Sequence, residues 1–212
     1  NMITKIYAVP EIKINLFEKL YHWTSIKSAI SILESENIYS NKDVGRHANF
    51  HIKDKIEDYE TNAQIRLIFK FKGIHKLAFG NTFDQTLPPP EFENSIFHLI
   101  TSDEVKYDPN NISTFSTLNH WQSVVYPNTR GLIFQGVDWN PSPTVVRNKD
   151  WYLHPIYNLD TEPKKPSILN RKARKQYQID IEIYRLREKL MLLETNAKDK
   201  EFTVIPPNSN EL

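Results

Sequence analysis

Apolar positions recur at helical spacing most clearly in two stretches of this chain. In the first, Ile26, Ala29, Ile30 and Leu33 lie three and four residues apart on one face. Leu20-Tyr21 precedes them and runs straight into His22-Trp23-Thr24-Ser25, so the order predicts a strand, a His-bearing turn and a short helix. Thr24 or Ser25 can cap that helix by accepting from its free N–H groups. It should stop near Glu36-Asn37, with Ile38-Tyr39-Ser40 leading into a polar loop that ends at Gly45-Arg46. In the second stretch Ile179, Ile183, Leu186, Leu190 and Leu193 predict a helix from about Ser167 to Glu194, with Ser167 as its cap. Tyr177, Ile179, Ile181 and Ile183 also alternate with period two, which leaves a strand over 177–184 as the alternative.

Elsewhere the pattern reads as strands. Ile65 to Phe71 is β-branched, aromatic and partly alternating. Ile96 to Thr101, Val124 to Tyr126 and Gly131 to Gln135 follow, the last two separated by the turn-forming Pro127-Asn128. Near the start, short apolar runs lie on either side of Pro10. Three consecutive prolines, Pro88 to Pro90, fit neither a helix interior nor a central strand, so 82–94 reads as a long loop. Asp138 to Pro143 reads as another loop, and Lys200 to Pro207 as a short terminal strand with Glu201 near its start. Between Asp43 and Glu60 the chain is polar, with GRHANFH at its centre, and is expected to form an exposed loop and then a charged helix near 54–64. Trp151 to Tyr157 is an aromatic cluster, read as core or partner surface.

Composition narrows the class. At 212 residues with 39% hydrophobic and 12% aromatic residues, the chain can bury one sizeable core, and a single domain over 1–212 is expected. Its basic, helical excursion covers about 162–196. A formal charge of +1 sets up no global field toward nucleic acid or acidic membranes. Six of the residues between Glu162 and Lys175 are nevertheless Lys or Arg; they form either a solvated helix face or a set of phosphate contacts. The absence of cysteine excludes thiol nucleophiles, disulfides and Cys-ligated zinc. His47 and His51, four apart, could share a helix face, but no metal motif surrounds them and no metal is expected. No apolar run approaches the ~18 residues of a membrane span. The expected setting is therefore cytoplasmic, or the cytoplasm of a cell into which the protein is delivered, with no membrane partner.

The run Y-H-W-T-S-I-K-S-A-I-S-I-L-E-S-E-N-I-Y-S from Tyr21 to Ser40 resembles the opening of ADP-ribosyltransferases of the DarT-like group. There a Y-H-x-T turn leads into a helix ending in S-I-L and a short G-L-x-S segment. The resemblance covers about the first fifth of the chain, and Asn37 stands where the group has Gly. It implies an α+β fold in which split, mostly antiparallel sheets surround an NAD cleft. The activity implied is transfer of ADP-ribose from NAD to a macromolecule, by a bacterial toxin or phage-defence effector. Nucleic acid is the first acceptor expected and protein the second, with an antitoxin or immunity protein as a further partner.

Breaking the nicotinamide–ribose bond passes through an oxocarbenium-like centre, as glycoside hydrolysis does. Such a site must grip the nicotinamide amide, hold the diphosphate and place negative charge beside the ribose. By resemblance, His22 and Thr24 match the first motif, with Trp23 between them, and Tyr39 and Ser40 fall at the next pocket segment. Arg46 matches the loop arginine that meets phosphate or ribose, and Asn49 and Phe50 extend that loop over the nucleotide. Glu201-Phe202-Thr203-Val204 fits the late E-[FV]-x-V strand that carries the catalytic glutamate. Glu182 is the rival carboxylate, and R-K-A-R-K-Q aligned on the group would put Gln178 at that position. Ser113 to Thr117 echoes the S-T-S motif of another transferase class. Two other readings stay open: a non-catalytic binding module on a degenerate fold, and a ribonuclease toxin using His22 and other histidines as acid and base.

Overall fold

The computed structural model describes residues 7–8, 19–41, 47–52, 63–79, 94–100, 123–139 and 161–207. Their elements, in chain order, are β1 (Tyr7–Ala8), β2 (Leu20–Thr24), α1 (Ile26–Ser35), β3 (Asn37–Tyr39) and β4 (Ala48–Phe50). They continue with β5 (Ile65–Phe71), β6 (Ile74–Phe79), β7 (Ser95–Ile100), β8 (Ser123–Val125), β9 (Leu132–Trp139), α2 (Arg171–Ala197) and β10 (Glu201–Ile205).

Ser25 starts α1, as expected: its Oγ accepts from the Ser28 N–H at 3.1 Å. Glu36 ends the helix in the left-handed region, at φ 56°, and its N–H closes onto the Ile32 carbonyl. Ile26, Ala29, Ile30 and Leu33 are buried, as their spacing requires, and Ile32 joins them. The second helix begins later than its periodicity suggests. Asn170 rather than Ser167 caps it, accepting from Ala173, and residues 177–184 are helical. Helical spacing wins there because α2 lies against α1 rather than beside a strand. The ion pairs Lys27–Glu182 (3.5 Å) and Glu34–Lys189 (2.6 Å) line that contact.

The ten strands form two five-stranded sheets, ordered β1-β6-β7-β8-β4 and β2-β5-β9-β10-β3. Most pairs are antiparallel; β6 with β7 and β10 with β3 are parallel. The chain is thus α+β. Phe50 of the first sheet meets Phe69 of the second at 5.9 Å between ring centroids, and Phe69 meets Phe134 and Phe202. These four rings, all fully buried, form the centre of the core between the sheets. At the sides, Tyr21 pairs with His51 through two backbone bonds of 2.8 Å, and Asn41 donates to the His47 carbonyl. Asn128 and Val204 bond across from the turn after β8 to β10.

Several expectations are corrected. The GRHANFH region is not simply an exposed loop, because Ala48–Phe50 is a strand with Ala48 and Phe50 in the core. Two inward positions were enough to outweigh its polar neighbours. His47 and His51 flank this strand and share no helix face. Ile74–Phe79 is a strand that the apolar pattern does not predict, since His75 and Lys76 interrupt it. Asp138 and Trp139 end β9 instead of forming a loop. The expectations at Arg46, 54–62, 82–93, 113–117 and 151–157 lie outside the described residues.

Candidate functional site at the junction of the two sheets

β2 has two different edges. One pairs with β5 from Leu20↔Phe69 to Thr24↔Ile65; the other meets the first sheet through the Tyr21↔His51 bridge. His22 follows that bridge and turns toward the core. Its ring packs on Phe50, with centroids 5.2 Å apart, and its Nδ1 lies 2.8 Å from the Asn49 carbonyl oxygen. A carbonyl only accepts, so Nδ1 carries the proton and Nε2 presents the ring's lone pair. Burial pushes the His22 pKa below its ordinary value, while the bond to Asn49 acts in the opposite direction. The result is a neutral imidazole whose acceptor atom is fixed by its backbone partner.

A row of polar groups continues from Phe50 across the first sheet. The register places Phe50 opposite Ser123, and Ser123 opposite His98. Ser123 Oγ is 2.7 Å from His98 Nδ1, and His98 Nε2 is 2.8 Å from His75 Nδ1. The two imidazoles are parallel within 5°, and all three side chains are buried in the core. Burial lowers the His75 pKa to about 4, against the raising effect of a hydrogen bond to the Phe71 backbone. In such a chain the protons run one way: Ser123 to His98 to His75, or the reverse. No motif in the sequence marks these residues. Their signal was polar residues at positions whose neighbours two away, Ile96 and Val125, are core.

The other face of β2 carries a second cluster. Arg66 lies opposite both Trp23 and Asp138. Its guanidinium sits 4.0 Å from the Tyr21 ring centroid and 5.6 Å from that of Trp23. Nε and Nη2 donate to Asp138 Oδ2 at 2.9 and 2.7 Å. Trp23 is therefore held by Arg66 on the face away from His22. Beside this cluster Glu194 of α2 accepts from the Val137 N–H at 3.1 Å, on the stretch of β9 that β10 does not reach. Burial raises the Glu194 pKa, the Val137 bond opposes this, and Asp138 adds to the rise.

Of the expected site residues, the structure brings together His22, Asn49 and Phe50, with Trp23 and Thr24 adjoining on β2. Tyr39 lies exposed on β3, at the edge of the second sheet farthest from β2 in strand order. Ser40 is buried and donates its hydroxyl to the Ile205 carbonyl at 2.6 Å. Glu201 opens β10 as expected, but β5 and β9 separate that strand from β2, about 14 Å at ordinary strand spacing. Phe202 and Val204 point into the core, so the exposed Glu201 leaves the sheet on the face away from His22. Glu182 is exposed on α2, paired with Lys27. Among the described residues no group of three His, Asp or Glu could hold a metal ion. No helix among them is long and apolar enough to cross a membrane. Comparison with protein-family models, with curated proteins and with solved structures finds no match.

Proposed function

We propose that this chain is an NAD-dependent mono-ADP-ribosyltransferase whose nucleotide site lies at the junction of its two sheets. The observation that carries the reading is His22, on the strand where the sheets meet, neutral and with Nε2 as its acceptor. Such a nitrogen accepts a hydrogen bond from a ribose hydroxyl. Phe50, fully buried, backs the imidazole from the core side. The bond that breaks joins nicotinamide to ribose C1′; the nucleophile of the acceptor forms the new bond at C1′ and loses its proton. Arg46 is proposed for the diphosphate. The charge beside the ribose must come from a carboxylate that reaches the His22 face, which Glu201, on the opposite face of β10, would do only if the ribose lay away from His22. The acceptor is a macromolecule, nucleic acid before protein.

One observation favours a second reading, a non-catalytic binding module on the same fold: Glu201 and His22 stand on different strands and opposite faces. The deciding experiment incubates the protein with labelled NAD and with DNA, RNA or lysate protein, comparing wild type with His22→Ala and Glu201→Gln. Transfer abolished by both substitutions supports the transferase with Glu201 as its carboxylate. Transfer lost in His22→Ala and retained in Glu201→Gln keeps the transferase and moves the carboxylate to another residue, Glu182 being the first to substitute. No consumption of NAD by wild type refutes the enzymatic reading.

A further inference from the structure

Ile168 and Leu169 sit in the turn before α2 and are the most exposed large apolar residues described, at 77% and 93%. Every cation around them is exposed too: Lys164, Lys165, Arg171, Lys172, Arg174 and Lys175. Between Thr161 and Lys175 these six face one carboxylate, Glu162, a net charge of +5 in a chain whose total is +1. The remainder of the chain therefore carries −4. Buried positions on α2 begin at Ile181, so its first ten residues extend about 15 Å before the helix meets the core.

The arrangement is costly to the fold in two ways. Two aliphatic side chains are left in water in the turn before the helix. The first turn of α2 holds no acidic residue and carries Arg171, Lys172 and Arg174, the wrong sign for the positive end of the helix dipole. A merely solvated helix face would need neither feature. At 3.6 residues per turn the four cations of the helix cover an arc of about 160°. The opposite side, with Ala173, Gln176, Tyr177 and Asp180, shares a groove with Thr161 to Lys164 and Pro166, so that Lys164 lies there with the carboxylates Glu162 and Asp180. Exposed cations thus flank the apolar pair on both sides in sequence, six against the two carboxylates of the groove.

We propose that this tip is a wedge that docks on an anionic lipid surface, Ile168 and Leu169 entering the interfacial region while the six cations meet the headgroups. A bilayer interface offers negative charge and an apolar layer together, which is what the tip presents in complement. The phosphate backbone of a nucleic acid matches the charge and leaves Ile168 and Leu169 without an environment. The acidic remainder of the chain orients the tip toward the surface. This contact lies on the membrane without spanning it, and so departs from the expectation of no membrane partner, which rested on the lack of an apolar span. It is independent of the transferase reading.

The test is co-sedimentation of the full chain with vesicles of phosphatidylcholine alone and of phosphatidylcholine with phosphatidylserine, at low and high salt. Wild type is expected to sediment with the phosphatidylserine vesicles only, and to be released by salt. Ile168→Ser with Leu169→Ser should lower partitioning at least tenfold at unchanged circular dichroism. Lys165→Ala, outside the helix and without risk to it, should lower partitioning about fivefold. Equal binding to both vesicle types, or none to either, would overturn the proposal. So would undiminished binding by the Ile168/Leu169 double variant, or capture of a DNA duplex in place of vesicles with the same dependence on these residues.

Discussion

The buried chain His75–His98–Ser123 makes the stability of this protein depend on pH in a direction that can be worked out. His75 has a pKa of about 4 in the folded state, against 6.5 for an ordinary imidazole. The unfolded chain therefore binds a proton between pH 6.5 and 4 that the folded chain refuses, and stability falls as pH falls through that window. Two and a half pKa units correspond to about 3 kcal/mol, all of it lost once the pH is below 4. His22, also lowered by burial, acts in the same direction. Glu194, raised by burial, acts oppositely: its contribution is present below its ordinary pKa and declines as pH rises above it. A variant isolates the His75 part. Urea unfolding of wild type and His75→Gln at steps from pH 7.5 to 4 should show a shallower pH dependence in the variant. The offset between the two curves should change by about 3 kcal/mol from pH 7.5 to 4. A separate, pH-independent loss of about 1–3 kcal/mol is expected from the broken bond to His98. Parallel curves over the whole window would refute the reasoning, because they would mean that His75 titrates alike in both states.

Phe50 is fully buried between His22 and Phe69, so Phe50→Ala should cost about 3–5 kcal/mol in chemical unfolding. Asp138→Ala removes the acceptor of two Arg66 bonds beside a buried guanidinium. Because the Asp138 side chain is 38% exposed, a loss of about 1–2 kcal/mol is expected, together with altered fluorescence of the neighbouring Trp23. Ser25→Ala deletes the cap of α1 and should lower stability by about 1 kcal/mol, a loss that Ser25→Asp should largely restore.

How much could be read ahead differs from element to element. α1 was legible because its apolar spacing, its cap and its stop all lie within a dozen residues and agree. β5, β7 and β10 were legible for a similar reason, each being a run whose side chains suit a half-buried pleat. β6 was not, because a strand in the interior of a sheet can keep His75 and Lys76 when cross-strand partners accept them. β4 was missed because three residues hold too little pattern; its place is decided by β8 and by the bridge from Tyr21. The site divides the same way. His22 was visible from its local motif, whereas Ser123, His98 and His75 lie up to 48 residues apart and become one chain only through strand register.

By itself the sequence determined the local units here: the capped α1 after β2, the terminal strand that Glu201 opens, and the concentration of positive charge around Ile168 and Leu169. Propensity, periodicity and charge act over a few residues, and a few residues suffice to read them. Tertiary structure alone decided which units share a sheet, which edge of β2 meets β4, and which face each side chain takes. Those outcomes depend on backbone hydrogen bonds between distant segments and on one core shared by Phe50, Phe69, Phe134 and Phe202. They are why Asn49 came to hold His22, and why Glu201, on the expected strand, faces the other way.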